Sequence, residues 1–277
     1  MGVKCAALLP HPPIVIEEIG GRELKKAEET VNGFKKTAAE IAEFKDELDL
    51  IVFITPHGPV FRSTASVIIK DQLQGDFGEF GFSKIKFTEK SDIKFSEKLI
   101  SNTENNELSL QPLRKNDLDN YGIEQELDHG IMVPLNYLKK ENINLPLIPI
   151  SIGFISYQEL YKIGEQIAKT AEELNYNIAV IASGDLSHRL KKGAPAGYNS
   201  DAHLFDEKLI KYFKEKDFDS ILNFDSELVE KAGECGLRPI ITMLGSIKKL
   251  NVEVSVNSYE GPFGVGYGTV FIEPESR

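Results

Sequence analysis

The sequence predicts an α/β fold: a single domain with a mixed central sheet, helices on both faces, and a site at the C-terminal ends of the strands. Three observations predict it. Apolar, β-branched runs alternate with longer charged stretches of helical period, the pattern of helices laid over a sheet. Runs such as Leu50–Ile54 and Ile178–Ala182 are apolar at every position, as strands covered on both faces are. Four of the five histidines stand just past an expected strand or just before an expected helix.

The elements follow in order. Cys5–Leu9 reads as a buried strand. Gly21–Phe44 reads as one helix, with Leu24, Ala27, Val31, Phe34, Ala38, Ile41 and Phe44 three or four apart. Leu50–Ile54 is a second buried strand, and Ser66–Lys70 and Lys84–Thr88 are further strands. Asp92–Ser101 reads as a helix, and Ile131–Lys140 as another with Pro134 in its first turn. Leu147–Gly153 is a strand. Ser156 and Glu159 form a capping box that opens a helix to about Leu174. Asn177–Ala182 is a strand. Asp201–Lys214, Ser226–Ala232 and Leu237–Leu250 read as helices. Val252–Tyr259 and Tyr267–Ile272 alternate about a glycine-rich turn and are expected to pair antiparallel. The domain is expected to occupy 1–277, with the polar stretch 71–120 as an excursion from it.

Composition narrows the function. The 277 residues carry 32 Lys plus Arg against 43 Asp plus Glu, a net charge of −11, which argues against nucleic acid or an anionic membrane as a main partner. No apolar run reaches the roughly 18 residues of a membrane span. The N-terminus lacks a signal-peptide pattern. Cys5 and Cys235 make no disulfide framework. A cytoplasmic protein with reduced thiols is therefore expected.

The histidines carry the chemistry. His11 follows the first strand in Leu-Pro-His-Pro-Pro. His57 follows the second in Thr-Pro-His-Gly. His188 ends Ser-Gly-Asp-Leu-Ser-His after the Ile178–Ala182 strand, and His129 lies in Asp-His-Gly. Ligands of open α/β sheets bind beyond the carboxyl ends of the strands, so these imidazoles are placed to converge. Prolines at 10, 12, 13, 56 and 59 stiffen two of the loops. His203 lies in a polar helical pattern and reads as a solvated residue. Two imidazoles and a carboxylate with open positions suit non-haem Fe(II), and three ligands plus water suit catalytic zinc. Glu234, bracketed by Gly233 and Gly236, is the carboxylate candidate. Its neighbour Cys235 offers a soft thiolate, which favours zinc or copper(I). Asp185 is a candidate to orient His188, and Tyr198, Tyr259 and Tyr267 read first as packing residues.

Taken together, Pro-His-Pro-Pro, Thr-Pro-His-Gly, Asp-His-Gly-Ile-Met-Val-Pro-Leu, Ser-Gly-Asp-Leu-Ser-His and Gly-Glu-Cys-Gly-Leu-Arg-Pro resemble the class III extradiol ring-cleavage dioxygenases, of the protocatechuate 4,5-dioxygenase beta-subunit type, and the related Memo-like proteins. The resemblance runs from about residue 4 to 273. It implies a metal held by His11, His57 and Glu234, with His188 as catalytic acid–base and His129 near substrate and oxygen. The implied activity is Fe(II)-dependent ring opening of a catechol- or aminophenol-type substrate with dioxygen. A Memo-like metal protein with another redox or interaction role is the alternative, with Cys235 as the discriminating residue and zinc or copper as alternative metals. A zinc-dependent hydrolase is a third reading. A homo-oligomer, a second subunit or a C-terminal domain are the partners that the resemblance implies.

Overall fold

A computed structural model describes residues 1–275 of the chain. In chain order its elements are β1 (Gly2–Leu9), α1 (Glu17–Gly20), α2 (Glu28–Ala42), β2 (Leu50–Thr55), β3 (Ala65–Ile68), β4 (Gln72–Phe77), β5 (Phe82–Lys90), α3 (Ile93–Glu104) and β6 (Leu110–Leu113). There follow α4 (Lys115–Tyr121), α5 (His129–Lys140), β7 (Leu147–Ser151), α6 (Tyr157–Leu174), β8 (Asn177–Ser183) and α7 (Ala202–Glu215). The chain continues through α8 (Phe218–Leu222), α9 (Ser226–Ala232), α10 (Leu237–Ile247), β9 (Val252–Glu260) and β10 (Tyr267–Pro274).

Eight strands form one mixed sheet in the order β6-β3-β7-β2-β8-β1-β10-β9. The centre is parallel: β8 lies between β1 and β2, and β2 pairs with β7. The flanks turn antiparallel at β3–β7 and β1–β10, and β9 pairs antiparallel with β10. Helices cover both faces, which is why β2 is buried along its whole length. Alternate residues serve opposite sides. Val52, Ile54, Val180 and Ala182 pack with Ile163, Ile167, Ile240 and Leu244 from α6 and α10. Ile51, Phe53, Ala179 and Ile181 pack with Phe34, Ile41, Ile131 and Leu135 from α2 and α5.

The register brings the strand ends level. Leu9 stands beside Ser183, Ile54 beside Ala182, and Thr55 beside Ser151. Each strand ends there, and the next residues are Pro10-His11, Pro56-His57 and Gly184-Asp185.

Several local readings change. Gly21–Phe44 is not one helix: residues Gly21–Ala27 form a 3-10 helix before α2 begins. The helix expected from Ile131 begins at His129, because Asp128 caps it by accepting a hydrogen bond from Gly130 N, so Pro134 falls in the second turn. Of the stretch 71–120, only β4 and β5 leave the main sheet, as a two-stranded ribbon. β6 is an edge strand of the sheet, and α3 packs on α6.

Candidate metal centre

His11 and His57 meet above β8. Their Nε2 atoms lie 2.8 Å apart and their rings cross at 85°. His129, the first residue of α5, closes a third side, its ring centroid 4.2 Å from that of His57 and 5.3 Å from that of His11. His11 is almost fully buried. Burial, then the neighbouring imidazoles, hold its pKa well below the usual histidine range. Burial lowers His57 and His129 each to about 4, and lowers His188 as well. All four are therefore neutral at pH 7, the state in which an imidazole can bind a metal or accept a proton.

The orientation of His11 traces back to a proline. In α5 the carbonyl of Gly130 lacks its helical partner, because residue 134 is proline and has no N–H to give. Ser183, the last residue of β8, donates its hydroxyl to that carbonyl. With its proton so used, Ser183 Oγ accepts from His11 Nδ1 at 2.9 Å. This assigns the proton to Nδ1 and leaves a lone pair on His11 Nε2, pointing at His57. Asp185 Oδ1 accepts from the His11 backbone N–H at 2.8 Å and fixes the loop. On the other side, His57 N donates to Thr55 Oγ1 at 3.2 Å, and Thr55 Oγ1 donates to Asp128 Oδ1 at 2.8 Å.

A candidate third donor comes from residues 233–236. These lace onto the loop after β8: Cys235 N donates to Asp185 O at 3.3 Å, and His188 N donates to Ala232 O at 3.0 Å. The close approach needs two glycines, since a Cβ on Gly184 would lie 2.3 Å from Gly236 Cα. Cys235 Sγ thereby sits 3.5 Å from His11 Nε2. One ligand atom each from His11, His57 and Cys235 falls within 4.8 Å of the others. Two imidazole nitrogens and a thiol facing one point fit a metal ion chemically, since the lone pair on His11 Nε2 needs either the His57 proton or a cation opposite it.

Glu234 precedes Cys235 in this turn. Its carboxylate accepts from Leu237 N at 2.5 Å in the first turn of α10, and burial pushes its pKa up to about 7. It is outside the group formed by His11, His57 and Cys235. Asp185, expected beside His188, instead serves His11, whose Nε2 lies 3.8 Å from Asp185 Oδ2. His188 is held by its own turn: Nδ1 pairs with Leu186 O at 2.8 Å, which leaves Nε2 as the free lone pair. A proton on His188 would disfavour one on His11 or His57, which places the three rings in one electrostatic neighbourhood. His203 is exposed on α7. Tyr198 is exposed, Tyr267 is buried, and Tyr259 donates to Asp206. Sequence reasoning missed Ser183, Thr55 and Phe80. The first two had a readable signal: each is a polar residue ending an otherwise apolar strand, where the ladder gives out.

The family described as the catalytic LigB subunit of aromatic ring-opening dioxygenase matches residues 5–271. The chain belongs to this family. Protein CA_C1420 of Clostridium acetobutylicum is 35% identical to this LigB-family chain over 270 residues, 98% of the chain and 57% of that protein. A MEMO1 family protein of Methanocaldococcus jannaschii is 34% identical over 131 residues, 46% of the chain and 42% of that protein. The 3,4-dihydroxyphenylacetate 2,3-dioxygenase of Escherichia coli is 30% identical over 132 residues, 44% of the chain and 47% of that enzyme. The chain thus spans about half the length of the curated relatives it matches. The crystal structure of an uncharacterized protein from Escherichia coli K12 superposes with a TM-score of 0.65, covering 97% of this chain and 99% of that one at 14% identity, which shows a shared fold.

Proposed function

We propose that this LigB-family chain is a metal-binding protein of the Memo-like kind, with its ion held by His11, His57 and Cys235. The observation that carries the reading is the third donor: Cys235 Sγ lies 3.5 Å from His11 Nε2, while the Glu234 carboxylate is engaged with Leu237 N. A thiolate beside two imidazoles favours zinc or copper over oxygen-activating Fe(II). Bound there, such an ion supplies positive charge to polarise a substrate heteroatom and, if it is copper, a route for one electron.

The chain's own residues do the rest. Ser183 holds the His11 ring so that Nε2 faces the centre. His188 offers Nε2 as a proton acceptor and later donor. His129 faces the open side toward a cleft of about 610 Å³, where Phe80 packs edge-on against it at 5.3 Å.

A second reading is favoured by one observation. His188 and His129 flank the centre as the acid–base and the substrate-side histidine of a ring-opening dioxygenase would. In that reading Glu234 turns inward to complete an Fe(II) site, and a catechol- or aminophenol-type substrate is opened with dioxygen. Elemental analysis of untagged protein purified without oxygen separates the two. Zinc or copper near one per chain, lost in Cys235→Ser and kept in Glu234→Gln, supports the Memo-like reading. Iron lost in Glu234→Gln and kept in Cys235→Ser, with catechol-dependent oxygen uptake, overturns it in favour of the dioxygenase. Full metal in both His11→Ala and His57→Ala refutes the centre itself.

A further inference from the structure

The cleft that opens beside His57 and His129 has a sign. Its acidic lining residues are Asp76, Glu79, Glu124 and Asp128, and no lysine or arginine lines it. None of the four carboxylates forms an ion pair with a cation among the described residues. Lys86 stands opposite Asp76 across the β4–β5 ladder, but it is exposed and does not line the cleft.

A second, independent feature points to a ligand. Asp128 spends one oxygen on Thr55 Oγ1 and Gly130 N, and its other oxygen, Oδ2, is buried with no partner. A buried, unpaired carboxylate oxygen costs stability unless a donor reaches it. Phe80, exposed at the tip of the ribbon, supplies an aromatic face at the same mouth. Aromatic faces and carboxylates both attract organic cations, and both repel or ignore a carboxylate. The volume of about 610 Å³ is that of a small-molecule pocket.

We propose that this cleft selects an aromatic compound bearing an ammonium group, and discriminates against one bearing a carboxylate. The inference rests on the reading that the centre at His11 and His57 is the functional site, since the cleft is its entrance. In the bound compound the ammonium lies among Asp76, Glu79 and Glu124, and a donor reaches Asp128 Oδ2. The ring lies along Phe80, with its far end toward His129.

The test compares tyramine with 4-hydroxyphenylacetate, which share ring and hydroxyl and differ in the charged end. Neither has the paired hydroxyls that chelate a metal, so binding is read apart from turnover. Calorimetric titration of the full chain, both chelator-treated and metal-loaded, is expected to give tyramine about tenfold tighter at low salt. The preference should shrink in about 0.5 M salt, where exposed charges are screened. Glu79→Gln with Glu124→Gln, both exposed positions, should reduce the ratio to about threefold or less without moving the melting temperature. Equal or tighter binding of 4-hydroxyphenylacetate, a ratio untouched by the double variant, or no binding of either compound would overturn the proposal. Failure of the metal reading is separate: a chain that holds no metal yet keeps the tyramine preference loses the centre and keeps the cleft, and a metal-loaded chain with no preference does the reverse.

Discussion

At the scale of the residue, the centre depends on where single protons sit. Ser183 has one hydroxyl proton, and Pro134 decides that it goes to Gly130 O. Ser183→Ala removes the acceptor at His11 Nδ1 and frees the ring to adopt the other tautomer. Loss of a partner of this kind typically weakens metal binding by about 10- to 100-fold. Competition against a chelator should read that loss, with little change in melting temperature when the protein is metal-free. Asp206 governs the turn before His188 in a similar way. It is fully buried, accepts from Ser187 N and Tyr259 Oη at 2.8 Å each, and burial pushes its pKa up to about 7. A folded-state pKa raised from 3.8 to about 7 gives stability that is fully present below about pH 4 and is lost as pH rises through 7. Asp206→Asn should therefore gain on the wild type between pH 4 and 7 in denaturant midpoints. A constant difference across that range would show that Asp206 does not titrate there.

Among the elements, two contacts are set by missing side chains. α6 and α10 touch at Gly164 and Gly245: a Cβ on Gly164 would lie 1.9 Å from Thr242 O, and one on Gly245 would lie 2.0 Å from Tyr161 O. Gly164→Ala must push the helices apart, at a cost of about 1–3 kcal/mol measured by urea unfolding. It should leave the metal stoichiometry unchanged, because neither helix supplies a donor. The same scale shows what could be read in the sequence. The buried strands at Cys5–Leu9, Leu50–Ile54, Leu147–Gly153 and Asn177–Ala182 were legible because burial on both faces makes them apolar throughout. β4, with Gln72, Gln74 and Asp76 on its open side, and β6, four residues at the sheet edge, carry no such run and were not. His11, His57, His129 and His188 were legible from their places at element ends. Which way Glu234 and Cys235 each face was not, since adjacent residues in a turn differ only by the direction of the backbone between them. Gly184 and Gly236 set that facing by a contact between residues 52 positions apart.

Across the whole molecule, the two cores share the sheet between them, so damage to one is felt by the other. Phe53 is fully buried at the centre of β2, two residues before Thr55. Phe53→Ala should cost about 3–5 kcal/mol, read as a shift in unfolding midpoint, and should disturb the strand that carries His57. Metal adds a term of the opposite sign. An ion that binds only the folded chain raises stability by about 1.4 kcal/mol for each tenfold of free ion above its dissociation constant. Excess chelator should lower the melting temperature of the holo form, and His57→Ala should abolish that difference. The response should weaken on acidification, because the Cys235 thiol and the imidazoles must be free of protons to bind.

The ribbon of β4 and β5 stands outside the eight-stranded sheet, and it brings Asp76, Glu79 and Phe80 to the cleft while contributing no donor to the centre. Leu73, Phe77 and Phe87 root the ribbon in the core, so only its exposed tip at Glu79 and Phe80 stands apart from the ladder that aligns Leu9 with Ser183. The rim of the cleft and the ends of the parallel strands are thus separate pieces of architecture, and a substitution at the tip of the ribbon alters the doorway while the floor beneath it keeps its alignment.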